Sequence, residues 1–189
     1  MNRITAYIRQ SLQDIYPPEE VKALSMLICC DMLGVDALDI YMGKDIILSA
    51  CKQRELENII FRLQKNEPIQ YIRGYAEFCG RNFRVAPGVL IPRPETAELV
   101  DLIVKENPDA RRLLDIGTGS GCIAISLDKN LPDAKVDAWD ISEEALAIAR
   151  KNNEELDAQV TFRRQDVFSA DGIQGTSYDI IVSNPPYVT

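Results

Sequence analysis

Residues 112–121 read Arg-Leu-Leu-Asp-Ile-Gly-Thr-Gly-Ser-Gly, an apolar run of strand type that passes directly into a glycine-rich turn. Apolar residues then recur at helical spacing through Ile123, Ile125 and Leu127. Glycines in a strand-to-helix turn let the backbone come close to a ligand, and the amides at the helix N-terminus face that ligand. The segment therefore predicts a strand, a ligand-binding turn and a helix.

The alternation of strand and helix continues towards the C-terminus. Further strands are predicted at 135–139, 160–162 and 178–182, and Ser142 is placed to cap a helix after the first of them. Strands that alternate with helices form a parallel sheet with right-handed crossovers and helices on both faces. The predicted fold class of this part is α/β, and ligands bind such sheets at the carboxyl ends of the strands.

The glycine spacing narrows the class of ligand. A dinucleotide fingerprint would need glycine at position 122, where Cys122 stands, and the Lys-Ser/Thr pair of a phosphate-binding loop is missing. The spacing G-x-G-x-G is instead that of S-adenosylmethionine enzymes, and the candidate cofactor contacts are Gly117, Thr118, Gly119, Ser120 and Gly121. The alternative is a tight strand-to-helix connection that binds nothing.

Two acidic residues follow later strands at the same predicted edge. Asp140 ends the second strand, where a carboxylate can accept hydrogen bonds from both hydroxyls of a ribose. Asp166 follows the third strand, where it can accept from an adenine amino group while Val167 packs against the ring. The alternatives are an acid at a helix N-terminus for Asp140 and a surface loop acid for Asp166. Together with the glycine turn, these residues predict a nucleoside site.

The motif Asn184-Pro185-Pro186-Tyr187, after the fourth strand, predicts the chemistry. The prolines stiffen the loop. The side-chain oxygen of Asn184 and the carbonyl of Pro185 can both accept hydrogen bonds from one NH2 group, and Tyr187 offers a flat face to a planar substrate. The lone pair of a conjugated nitrogen is delocalised, so its methylation depends on positioning and electrostatic stabilisation. No general base needs to act before methyl transfer. The predicted catalytic residues are Asn184, Pro185 and Tyr187, with Pro186 added for substrate binding; the alternative is a simple turn.

The N-terminal part differs in pattern, with helical periodicity from the start to about Lys65. We predict three regions: a bundle of four or five short helices over 1–67, a linker with a β-hairpin over 68–94, and the ligand-binding domain over 95–189. Ile46 and Ile47 are included in the helical pattern. The bundle is either a plain packing module or a docking domain for a macromolecular substrate.

Composition excludes several classes of protein. The 189 residues are 46% hydrophobic, enough for a substantial core, and contain no histidine, which excludes a histidine base or ligand. No metal site is expected. The net charge is −8, and residues 76–189 carry 12 Lys/Arg against 19 Asp/Glu, which disfavours direct nucleic-acid binding. The odd number of cysteines, with no secretory signal or membrane-spanning run, predicts a cytoplasmic protein.

These motifs resemble the HemK/PrmC family, the protein-(glutamine-N5) methyltransferases of peptide chain release factors. The resemblance rests on Pro68-Ile-Gln-Tyr-Ile-Arg-Gly74, on Gly88-Val-Leu-Ile-Pro-Arg-Pro-Glu-Thr96, and on the two motifs above. It implies a Rossmann-like S-adenosylmethionine-dependent methyltransferase sheet with an N-terminal helical bundle. It also implies cofactor contacts at residues 117–121, Asp140, Val167 and Asn184. Residues 184–187 would then hold the glutamine amide of the release factor's Gly-Gly-Gln motif.

The chain departs from the family at two places. Ala97 stands where members usually have glutamate, and the chain stops at Thr189, where members continue with further strands and helices. We therefore expect a truncated sheet with weak or no activity, and a fourth strand whose open edge promotes dimerisation. Two other functions remain open: methylation of exocyclic amino groups in DNA or RNA, and non-catalytic docking of a translation factor.

Overall fold

The computed structural model describes residues 3–169 and 177–185. They form two compact units, divided in sequence between Arg73 and Gly74. The predicted linker, 68–94, is thereby shared between the units, because its start belongs to the first and its β-hairpin to the second. The domain limits given above stay predictions. Among the described residues, no helix is long and apolar enough to cross a membrane.

The described part of the first unit is helical, as predicted. Its helices are α1 (Arg3–Leu12), α2 (Pro18–Met26) with a π-helical continuation (Leu27–Met32), α3 (Ala37–Tyr41), α4 (Ala50–Gln64) and α5 (Ile69–Arg73). The side chains of Asp36 and Ser49 accept backbone N–H groups at the starts of α3 and α4, and so cap both helices. The core includes Ile8, Leu12, Ile28, Leu56 and Leu63, all almost fully buried.

The structure corrects the expectation for Ile46 and Ile47, which lie outside any helix. Gly43, at φ +67°, follows the end of α3, and α4 begins only after Ser49. Between these points the side chains alternate, since Ile46 packs against the core while Ile47 is 93% exposed. A run of apolar residues this short fits an extended segment as well as a helix. Gly43 after α3 and Ser49 before α4 decide in favour of the extended segment.

The second unit begins with an antiparallel hairpin, β1 (Tyr75–Phe78) and β2 (Arg81–Arg84). Cys79 and Gly80 form its two-residue turn, both with positive φ, as tight hairpins require. The rings of Phe78 and Phe83 meet edge to face with centroids 6.0 Å apart, and both residues are buried. The predicted hairpin is therefore present, and it packs into the core of the second unit.

The main sheet contains four described strands, all parallel: β3 (Arg112–Ile116), β4 (Lys135–Asp140), β5 (Thr161–Arg164) and β6 (Ile180–Ser183). The described part of this unit also contains three helices: α6 (Pro94–Glu106), α7 (Cys122–Asn130) and α8 (Glu143–Glu155). The adjacent side chains of Leu113 and Leu114 are both fully buried, as expected for a parallel strand covered on both faces. The predicted α/β class is thus correct.

The strand order is β5-β4-β3-β6, so the chain moves outward from β3 in one direction and then returns to its other side. The order therefore reverses at β3, and loops from β3 and its two neighbours leave a crevice at their carboxyl ends. Among the described strands, β6 is at an edge, with Ile181 54% exposed and Val182 buried. The functional residues predicted from the sequence follow these same strand ends.

Candidate functional site

The glycine turn connects β3 to α7 and is held to the neighbouring strand. Gly117 and Thr118 both donate backbone N–H groups to the carbonyl of Trp139 in β4, at 2.8 and 3.0 Å. Gly117, Gly119 and Gly121 have φ of +74°, +55° and +80°, which side-chain-bearing residues rarely adopt. The sequence Gly-x-Gly-x-Gly is therefore required by the backbone path of the turn itself.

Position 121 requires glycine for a second reason, because the turn passes close to two helices there. A Cβ atom added there would lie 3.1 Å from Cδ1 of Ile125 and 3.2 Å from Cβ of Ala149. At Gly117 and Gly119 no atom lies within 4 Å of such a Cβ, so at these two positions only the positive φ favours glycine. Gly121 thus permits the close packing of the turn against α7 and α8.

A buried carboxylate, Asp115, lies at the end of β3 and is only 1% exposed. Its Oδ2 accepts a hydrogen bond from the hydroxyl of Thr118 at 2.7 Å. Burial raises the pKa of Asp115 to about 6, against the effect of the Thr118 hydrogen bond, and the nearby charge of Asp140 adds to the rise. Thr118 is itself buried, so its side chain supports the turn from beneath.

Asp140, at the end of β4, joins the glycine turn to the start of α8. Its Oδ2 accepts the N–H of Gly119 and its Oδ1 accepts the N–H of Ser142, each at 2.9 Å. A carboxylate offers about four acceptor positions, so each oxygen retains capacity for a ligand hydroxyl. Ser142 caps α8 by accepting the N–H of Ala145 at 3.2 Å, as predicted.

The loop after β5 continues the same edge of the sheet. Gln165 donates its N–H to the carbonyl of Asp140 at 3.0 Å, which holds the loop beside β4. Oδ1 of Asp166 accepts the N–H of Phe168 at 2.9 Å, and Val167 is 40% exposed. Phe168 is 94% exposed, an unusual position for a large apolar side chain.

The last motif begins where β6 ends. The hydroxyl of Ser183 donates to the carbonyl of Ile116 at 2.8 Å, which ties the end of β6 to β3. Nδ2 of Asn184 donates to the hydroxyl oxygen of Thr96, in α6, at 3.0 Å. Pro186 and Tyr187, both predicted to bind substrate, lie outside the described residues.

One cavity of about 770 Å³ connects these strand ends, a volume in the range of small-molecule sites. Predicted site residues that line it are Gly117, Gly119, Asp140, Asp166, Val167, Asn184 and Pro185. Thr118, Ser120 and Gly121 are not among its described lining residues, and we place them in the supporting turn. Within the described ranges, no group of three His, Cys, Asp or Glu side chains is arranged to hold a metal ion.

Sequence reasoning missed several lining residues, among them Val89, Leu90, Ile141 and Phe168. Ile141 and Phe168 directly follow Asp140 and Val167, so a large apolar residue next to each of these predicted contacts was the available signal. It also missed Asn152, in α8, which is 1% exposed. The Asn152 amide accepts the N–H of Arg84 at 2.7 Å and donates to the carbonyls of Arg84 and Ser120 at 3.1 and 2.8 Å. Asn152 therefore links the hairpin to the glycine turn.

Two family models match the chain. The model of the methyltransferase small domain matches residues 95–189, and that of the PrmC N-terminal domain matches residues 4–74. Among solved structures, the T. thermophilus 16S rRNA N2 G1207 methyltransferase is 24% identical, with a TM-score of 0.52 over 60% of this chain and 32% of that one. At this identity the likeness concerns the fold alone.

Curated relatives are more similar in sequence. The release factor glutamine methyltransferase of Flavobacterium psychrophilum is 41% identical over 184 residues, covering 95% of this chain and 64% of the relative. The protein of the same name from Koribacter versatilis is 51% identical over 159 residues, covering 82% of this chain and 56% of the relative. The chain thus spans less than two thirds of the length of these relatives.

Proposed function

The chain belongs to the methyltransferase small domain family, in the HemK/PrmC branch marked by its PrmC N-terminal domain, and we propose that the protein methylates glutamine in peptide chain release factors. The methyl acceptor is the side-chain amide nitrogen (N5) of the Gly-Gly-Gln glutamine, and the methyl donor is S-adenosylmethionine. The modification modulates translation termination. One observation carries the proposal: Asn184 and Pro185 line the same cavity as the glycine turn and Asp140.

The residues around the cavity fit S-adenosylmethionine. Asp140 has acceptor capacity left for the ribose hydroxyls, and the glycine turn brings the backbone of Gly117 and Gly119 to the cavity wall. Asp166 would accept from the adenine amino group, with Val167 against the ring. When bound, the cofactor supplies a methyl group on a positively charged sulfur.

The residues of the last motif suit a planar amide. The side-chain oxygen of Asn184 and the carbonyl oxygen of Pro185 would accept the two hydrogens of the acceptor NH2 group. This holds the nitrogen in place and favours a geometry in which its lone pair points away from the amide plane, towards the methyl carbon. As the bond from the nitrogen to the methyl carbon forms, the bond from that carbon to sulfur would break and leave S-adenosylhomocysteine, and the nitrogen would then release one proton to water. Tyr187 would pack against the amide, completing the set of proposed catalytic residues.

The charge of the chain supports a protein substrate over a nucleic acid. The net charge is −8, and the excess of acidic residues lies in the cofactor-binding half. Phosphate backbones bind proteins chiefly through lysine and arginine, so such a surface is unfavourable. We therefore propose that the protein does not bind DNA or RNA directly.

We propose two further properties of the protein. The first is dimerisation through β6, since β6 is at an edge among the described strands, with Ile181 exposed, and an edge strand can pair with a second copy. The second is a cytoplasmic location, since the five cysteines are all free thiols and Cys29 and Cys122 lie buried. Burial raises the pKa of Cys29 to about 11 and that of Cys122 to about 12, so both stay protonated at neutral pH.

The proposed function is tested by single-turnover methyl transfer. The protein, in excess, is incubated with isotope-labelled S-adenosylmethionine and a release factor, and the modified position is mapped by mass spectrometry. We expect the label on the glutamine of the Gly-Gly-Gln motif, and none when that glutamine is replaced by alanine. Label that enters added RNA or DNA while the release factor stays unmodified would support the nucleic-acid alternative and reject the proposal.

A further inference from the structure

Thr96 is a buried polar residue at the start of α6 that the proposed mechanism does not yet use. It is 8% exposed, whereas its neighbours Arg93 and Glu95 are exposed. Its backbone N–H donates to the carbonyl of Arg93, and Pro94 occupies the first turn, so the hydroxyl is not needed to cap the helix. The hydroxyl oxygen accepts a hydrogen bond from Nδ2 of Asn184, 88 residues away in sequence, at 3.0 Å.

In the structure the Nδ2 end of the Asn184 amide makes the contact with Thr96, which leaves the Oδ1 end available. A side-chain amide has one accepting oxygen and one donating NH2 group of nearly equal shape, so the hydrogen-bond partners decide its orientation. With the NH2 group bound to Thr96, Oδ1 is left without a donor among the described residues. The reverse orientation would present an NH2 group to the NH2 group of the acceptor, and two donors cannot bond to each other.

Thr96 and Asn184 lie beside the cavity that holds the other predicted site residues. A second cavity, of about 400 Å³, adjoins the cofactor cavity and shares Leu90 and Asn184 with it. Thr96 lines this second cavity but is not a described lining residue of the first. Asn184 thus lines both cavities, and Thr96 contacts it within the second one.

We infer that Thr96 is a positioning residue for methyl transfer, which accepts a hydrogen bond from the Asn184 amide and thereby directs Oδ1 of Asn184 to the acceptor nitrogen. The inference deepens the proposed function and rests on it for the identity of the acceptor. The orientation of Asn184, however, exists in the protein without any substrate. It can therefore be measured separately from activity.

The first measurement is the NMR signal of the Asn184 side-chain NH2 group in ¹⁵N-labelled protein, assigned by its loss in Asn184→Asp. Thr96→Val removes the acceptor at nearly constant volume, and Thr96→Ser keeps it. We expect the two hydrogens of Asn184 Nδ2 to shift and to exchange faster with water in Thr96→Val, while Thr96→Ser stays close to wild type. Thr161→Val, an exposed threonine of β5, is the matched control and should leave the signal unchanged.

The second measurement is single-turnover methyl transfer with the same variants. We expect Thr96→Val to lower the rate by about 10- to 100-fold, the range that follows from misplacing a reacting group. The affinity for S-adenosylmethionine should change by less than about twofold, and Thr96→Ser should recover most of the rate. A general loss of folding would instead weaken cofactor binding as well.

The two measurements separate the possible failures. An Asn184 signal that is identical in wild type and Thr96→Val overturns the inference, whatever the activity. A shifted signal with an unchanged transfer rate also overturns it, because the contact would then have no part in the reaction. If wild type modifies no release factor while the NMR result is as expected, the proposed function is not carried out by this chain, and the orientation of Asn184 by Thr96 remains established.

Discussion

Asp115 combines deep burial with a titratable carboxylate beneath the glycine turn. The hydroxyl of Thr118 and the backbone N–H of Ala124 both favour the charged carboxylate, but these neutral donors do not compensate for the loss of water around a charge. Burial therefore dominates and raises the pKa of Asp115 to about 6 from its ordinary value of 3.8. The folded protein thus binds this proton more tightly than the unfolded chain does.

The sign of the pH dependence follows from this difference. The stability that Asp115 contributes is complete below pH 3.8 and is lost as the pH rises through about 6. Asp115→Asn keeps an oxygen for Thr118 and never ionises. We expect the variant to gain up to about 3 kcal/mol in unfolding free energy over wild type between pH 4 and pH 7, measured by urea denaturation.

Asp179 provides a control of opposite sign. It accepts the N–H groups of Arg111 and Arg112, which hold the pKa of its carboxyl below the ordinary value. Asp179→Asn should therefore lose stability relative to wild type at pH 7, and the loss should shrink as the pH falls. An Asp115→Asn variant whose advantage is the same at pH 4 and pH 7 would show that Asp115 does not titrate in this range.

At the scale of elements, Asn152 connects α8 to both β2 and the glycine turn. Of its three hydrogen bonds, the one to the carbonyl of Ser120 is buried, and its loss leaves that carbonyl unsatisfied. We expect Asn152→Ala to lower the unfolding free energy by about 2–4 kcal/mol and to weaken cofactor binding. The adjacent Asn153, whose Oδ1 accepts the N–H of Val160, is the matched control. Equal effects of Asn152→Ala and Asn153→Ala in chemical denaturation would contradict the assigned role.

The contact between the glycine turn and the helices gives a second prediction at this scale. Gly121→Ala must adopt φ near +80° and also push against Ile125 and Ala149. Gly80→Ala has a comparable φ of +69° but open space around the new methyl group. We expect Gly121→Ala to cost about 1–3 kcal/mol more than Gly80→Ala in unfolding free energy. If thermal or urea denaturation finds the two variants equally stable, the packing at Gly121 is less tight than its distances indicate.

Local patterns predicted the elements of the second unit well, since β3 was placed at its observed limits, Arg112–Ile116. Strand ends were less accurate: the third predicted strand, 160–162, is observed as Thr161–Arg164. The reason is physical, because Arg163 and Arg164 extend β5 through pairing with β4, which the residues alone do not reveal. The helix Ile69–Arg73 was missed for a different reason. It directly follows Pro68, in a segment whose turn signals favour a loop.

For the site, the sequence predicted the residues whose role depends on their place at a strand end. Asp140 and Asn184 were found in this way. Asn152 and Thr96 were not, because an asparagine or threonine on a helix is usually solvated, and only tertiary packing brings these two to the turn and to Asn184. Local sequence patterns therefore cannot predict residues that position the site but lie far from it in sequence.

At the scale of the whole molecule, the edge of the sheet predicts self-association. Sedimentation velocity should show a monomer–dimer equilibrium that shifts with concentration, because β6 offers an unpaired edge among the described strands. Ile181→Lys places a charge on that edge and should shift the equilibrium towards monomer. Ile47→Lys, an equally drastic change at an exposed residue of the first unit, is the control. A dimer that resists Ile181→Lys would have to form through another surface.

We propose above all that the cavity at the carboxyl edge of the sheet binds the methyl donor. Calorimetric titration of S-adenosylmethionine tests it, with wild type, Asp140→Ala and, as control, Asp137→Ala, whose carboxylate instead accepts the hydroxyl of Tyr178. We predict saturable binding by wild type and Asp137→Ala, and affinity about 100-fold lower or undetectable for Asp140→Ala. Wild-type affinity in Asp140→Ala would contradict the claim, because the cofactor would then bind elsewhere.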